Sequence, residues 1–212
     1  MTEDLNIWNY LLPGITFGFA AAAQPGPLMA YLINRALQSG WKRTLPAIFA
    51  PLISDGPIAV VCLLILGSLP PDLLQYVRIA GGLFILYLSF RAGMSWKKVQ
   101  EGLRIADTST GKTLLDATVV NFLNPGPYLG WSLVIGPLFL EGWKAAPVNG
   151  ISLLAGFYLT MFFVTAGIVV LFAQARGRGP RLQRVLLGLS ALFLAMFGVY
   201  QLVTGVMEAL AT

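Results

Sequence analysis

Gln24-Pro25-Gly26-Pro27 and, 100 positions later, Asn124-Pro125-Gly126-Pro127 each interrupt a long apolar stretch. Proline lacks an amide donor, and its ring clashes with the carbonyl one turn back. Glycine adds backbone freedom. A soluble helix would end at either tetrapeptide. In a chain this apolar they predict two membrane helices broken at depth. Irregular backbone is tolerated there only where protein buries it or where it lines a cavity. A matched pair of such breaks in two halves of a chain points to a transport site.

Composition sets the solvent. Of 212 residues, 57% are hydrophobic and 11% are charged, and mean hydropathy is +0.75. An ordinary soluble domain carries roughly 25% charged residues. The net charge of +5 does not indicate a nucleic-acid partner, because the basic residues cluster in short segments between apolar runs. With no histidine and one cysteine, Cys62, the chain offers no internal disulfide and no thiol–imidazole metal site. Cys62 reads as a small buried hydrophobe. No cofactor is expected. The alanine-rich end of the first apolar run imitates a signal peptide. Its leading segment holds Glu3 and Asp4 rather than basic residues, so it is read as an uncleaved first span.

Six apolar segments follow, over about 8–34, 46–69, 73–94, 113–140, 148–174 and 185–208. They predict an all-α polytopic membrane protein with six transmembrane helices, helices one and four broken at Pro-Gly-Pro. The segments after helices one, three and five, taken to include Arg35 and Arg91, hold 12 of the 14 basic residues. Lys/Arg excess marks the cytoplasmic side. Both termini are therefore expected outside, with Arg78 and Lys144 at the outer face.

The chain also echoes itself. The first break is followed by Gly40-Trp41-Lys42 and Pro46, and the second by Gly142-Trp143-Lys144 and Pro147. Three helices reverse the chain's direction, so a three-helix repeat is inverted. An inverted 3+3 repeat within a single transmembrane domain is expected. Repeat one covers about 8–96, repeat two about 113–208, with a cytoplasmic linker at about 97–112.

Asp55, in Pro51-Leu52-Ile53-Ser54-Asp55-Gly56-Pro57, lies roughly 13 Å below the cytoplasmic end of helix two, close to mid-bilayer. An ionised carboxylate there costs about 2.5–3.5 kcal/mol on insertion scales. Such a residue is expected to face a cavity, a partner or a proton path. Asp116 is read as a charge in the first turn of helix four. Pro25, Gly26 and Pro27, like Pro125, Gly126 and Pro127, would open half-helices whose free amides suit a carboxylate. Asp55 would receive an ammonium or a proton. Gln24, Asn121, Asn124 and Tyr128 flank the breaks and either satisfy freed backbone groups or touch substrate. Trp8, Trp41, Trp96 and Trp143 lie near segment ends and read as interfacial anchors.

These motifs, in order, resemble the lysine exporter (LysE/RhtB-type) superfamily of amino-acid efflux proteins. Gln24-Pro25-Gly26-Pro27 resembles its Pro-Gly-Pro signature, and Ser54-Asp55-Gly56 its Gly-Asp position. Gly81-Gly82-Leu83-Phe84-Ile85-Leu86-Tyr87-Leu88-Ser89-Phe90-Arg91 resembles its third-helix pattern, and Asn121-Phe122-Leu123-Asn124-Pro125 its Asn-x-x-Asn-Pro. The chain departs at Leu28, Phe84, Ser89 and Gly126-Pro127. The resemblance implies a secondary efflux carrier, not an enzyme, that exports a small amino-acid-like solute across the cytoplasmic membrane with proton coupling. A divalent-cation exporter of the same superfamily is the alternative. The expected partners are the solute, protons and lipid. Nucleic acid is not one of them, and a homo-oligomer is compatible with this reading.

Overall fold

Both tetrapeptides divide a helix in the computed structural model, which describes residues 7–24, 26–64, 71–100, 109–175 and 180–211. Pro25, Glu3, Asp4 and residues 101–108 of the expected linker lie outside the described residues. The first apolar run forms α1 (Trp8–Ala23) and α2 (Pro27–Ser39). A short helix α3 (Trp41–Thr44) and a 3₁₀ turn (Leu45–Phe49) lead into α4 (Ala50–Leu64). Next comes α5 (Pro71–Gln100). The fourth run comprises α6 (Thr110–Phe122), α7 (Pro125–Gly130), a π-helical turn (Trp131–Ile135) and α8 (Gly136–Ala145). The chain closes with α9 (Pro147–Ala175) and α10 (Pro180–Ala211). No strand occurs among the described residues.

Three stretches, Trp41–Leu64, Pro147–Ala175 and Arg184–Leu210, are long and apolar enough to cross a membrane. The other expected spans appear as shorter pieces: α1 with α2, α6 with α7 and α8, and the apolar part of α5, Ile79–Met94. Large apolar side chains such as Phe163, Leu171 and Leu192 point outward. That arrangement suits lipid rather than water.

Close packing follows from small residues. Gly14, Gly18 and Ala22 recur every fourth position of α1 and are buried, along the face that α9 packs against. A Cβ on Gly14 or Gly18 would strike the carbonyl of Leu153 or Phe157 on α9, and one on Gly156 would lie 2.8 Å from the Leu11 carbonyl oxygen. Small residues thus let two backbones approach. α5 lies along α10, and α6 along α4.

α2 is buried along most of its length. Arg35, read from the sequence as a loop cation, is only 6% exposed. It lies inside α2 and donates to Gln38 Oε1 at 3.0 Å. Asn34 Nδ2 donates to Ser190 Oγ on α10 at 2.8 Å, and Gln38 donates to Asn34. α2 ends at Gly40, whose φ of 78° is a conformation that side chains disfavour. The echoed Gly142 is instead buried inside α8, against the Tyr10 ring. The two Gly-Trp-Lys stretches therefore differ in backbone.

Helix ends outrun the apolar segments. α6 begins at Thr110 because the Ser109 side chain accepts from the Lys112 amide. Asp116 consequently sits in the second turn, not the first. It accepts from the Tyr31 hydroxyl at 3.1 Å and lies 3.9 Å from Arg91.

Candidate functional site

The two breaks leave backbone groups without partners in their own helices, and the two breaks meet them differently. At the first, Gln24 and Gly26 are extended, and Pro27 occupies the opening turn of α2. Gly26 offers no side-chain cap, so among the described residues the leading amides of α2 (those of Leu28 and Met29) have no side-chain cap. At the second, Asn124 Oδ1 accepts from the Gly126 amide at 3.1 Å. The Tyr128 hydroxyl donates to the Phe122 carbonyl at 3.0 Å, and Gln201 Nε2 donates to the Leu123 carbonyl at 3.1 Å. The second break is thus closed by its own side chains and by α10. Of the free amides expected at the second break, that of Gly126 is taken by Asn124.

Asp55 lies beside both. Its side chain is buried, with 4% of the residue exposed. Oδ1 accepts from Asn121 Nδ2 at 3.1 Å, and Oδ2 accepts from the Tyr158 hydroxyl at 3.1 Å. Asn121 Nδ2 also donates to Ser54 Oγ at 2.7 Å. Ser54 in turn bonds back to the Ala50 carbonyl at 3.1 Å. Three elements, α4, α6 and α9, therefore fix one carboxyl group. Asn121 and Tyr158 are neutral donors, which can orient a carboxylate without neutralising it.

A cavity of about 540 Å³ joins these parts. Gln24, Gly26, Pro27, Asn124, Pro125, Gly126 and Pro127 line it together with Asp55 and Asn121. Residues 100 positions apart in the sequence thus share one chamber. Tyr128 is buried and does not line it; its hydroxyl serves the break. The cavity walls are mostly apolar, drawn from packing clusters on either side of the break. Among the described residues, no group of three or more His, Cys, Asp or Glu side chains gathers. Cys62 is a buried free thiol against the Tyr128 carbonyl.

Three participants escape a reading of the sequence. Tyr158 sits in an unbroken apolar run, where nothing marks which face it takes. Trp131 lines the cavity from the π-helical turn. It is the one tryptophan far from a segment end, and a mid-membrane indole that must place its N–H is a usable signal. Gln201, an amide within an apolar helix, is another.

The arrangement is a pocket with a buried acid and a helix start without a side-chain cap. The profile of the LysE type translocator family matches residues 19–205. The chain belongs to that family. A LysE type translocator is a membrane transporter and not an enzyme, and the family points to export of amino acids or similar solutes. Comparison with curated proteins and with solved structures gave no match.

Proposed function

We propose that this translocator exports a small amino-acid-like solute from the cytoplasm across the plasma membrane, driven by protons. The carrying observation is Asp55, a buried carboxylate hydrogen-bonded by neutral groups on the wall shared by both helix breaks. A buried acid held by neutral donors favours a cation or a proton arriving from outside the protein. In this reading Asp55 takes the substrate ammonium and releases it on protonation. The uncapped start of α2 faces the substrate carboxylate, which helix N-termini favour. Gly26 and Pro27 form this edge; Gln24, Asn121, Asn124 and Pro125 to Pro127 complete the chamber.

The six spans form an inverted 3+3 repeat with both termini outside. Two packing relations support it. α1 lies on α9 while α6 lies on α4, which exchanges helix one with four and five with two. α5 and α10, third in each half, pair with each other. Rocking of the halves about the chamber would alternate access. One carboxylate with amide and phenol partners is a poor cage for a divalent cation, which prefers several hard oxygen ligands.

The test is efflux from proteoliposomes preloaded with single amino acids or divalent cations, with and without a pH gradient. Gradient-dependent loss of at least one amino acid is expected. Loss of a divalent cation with no amino acid moving contradicts the proposal.

A further inference from the structure

Trp131 is 5% exposed and lines the cavity, yet its Nε1 has no hydrogen-bond partner among the described residues. A buried donor without an acceptor is costly, and buried indoles usually find one. The Asp55 carboxyl is near enough to interact with the indole N–H, but the two do not meet hydrogen-bond geometry. The placement of Trp131 has a local cause. It opens the π-helical turn, in which the Gly136 amide bonds the Trp131 carbonyl. A Cβ at Gly136 would collide with that same oxygen, so glycine permits the wide turn. Such turns recur where a helix must re-aim a side chain at a functional site.

The rest of the chamber limits what can meet that donor. Asp55 is the only charged residue among its described lining residues. Phe17, Met29, Ile135, Phe157, Met161 and Phe197 supply broad apolar wall. A cavity of about 540 Å³ exceeds what a small polar amino acid fills. A second ammonium would enter without an anion to pair with, which is unfavourable in a mostly apolar chamber. An amino acid carries its ammonium and carboxylate on one carbon. A ligand with its ammonium on Asp55 therefore brings its carboxylate close to the Trp131 N–H.

We propose that the chamber selects zwitterions with one ammonium and a bulky apolar side chain, and that Trp131 Nε1 is a specificity donor to their carboxylate. This rests on the export reading. Asp55 takes the ammonium, Trp131 and the uncapped α2 amides take the carboxylate, and the apolar wall takes the side chain. Basic amino acids and small hydroxylated ones are disfavoured.

The experiment is equilibrium binding of labelled L-phenylalanine to the purified full-length chain, competed by L-leucine, L-lysine, L-threonine and 2-phenylethylamine. Leucine is expected to compete at least roughly tenfold better than lysine or threonine. Trp131→Phe keeps an aromatic ring but removes the N–H. It should weaken phenylalanine about tenfold, the loss of one hydrogen bond to a charged group. It should leave 2-phenylethylamine, which has no carboxylate, unchanged. Equal weakening of both ligands would assign the N–H to Asp55 and overturn the donor role. Preference for lysine or threonine would overturn the selectivity while leaving amino-acid export standing. Absence of binding by every amino acid would remove both.

Discussion

Asp55 is legible in the sequence because a carboxylate in an apolar run stands out by its cost. Its supports are not. Tyr158 bonds Asp55 from 103 positions away, and only tertiary packing brings that hydroxyl round. Asn121 stands out by its place beside the second break, but residue order alone does not give its bonds to both Ser54 and Asp55. Tyr128 carries both readings in the sequence, and the structure turns it to the Phe122 carbonyl. If Tyr158 holds the carboxylate in place, Tyr158→Phe keeps the ring and removes one donor to a charged group. It should weaken apparent substrate affinity about tenfold, read from the concentration dependence of efflux. A wild-type dependence would show that the Tyr158 hydroxyl contributes nothing to binding.

The helix breaks are the most legible elements, since proline and glycine act through the local backbone. What the sequence hides is their asymmetry. Asn124 caps α7, whereas Gly26 cannot cap α2. Asn124→Ala should therefore cost about 1 kcal/mol, seen as a lower thermal midpoint in detergent. Helix ends are blurred because helices continue past the apolar stretch into polar, capped turns, as at Ser109. The seam between α1 and α9 has no slack at Gly18, where the opposing atoms are backbone. Gly18→Val should cost about 1–3 kcal/mol through overpacking. An unchanged midpoint would mean that the two helices can separate freely there.

Across the whole molecule, lipid-facing apolar side chains surround two packed clusters with one chamber lined from both. Composition and the Lys/Arg pattern carry the membrane reading. Burial of Arg35 shows their limit, because a cation near a helix end can belong to the core when Gln38 and Ser39 receive it. Orientation is open to direct labelling in a Cys62→Ser background. In right-side-out vesicles an impermeant maleimide should modify Lys144→Cys at once and Lys112→Cys only after permeabilisation; the reverse order would invert the topology. In the proposed mechanism the Asp55 carboxyl binds substrate and couples its export to protons. Its most direct measurement is pH-gradient-driven amino-acid efflux from proteoliposomes holding equal amounts of wild type and Asp55→Asn. The variant, folded and inserted, is expected to lose gradient-driven efflux. Full transport by Asp55→Asn with the wild-type pH dependence would rule out that role for Asp55.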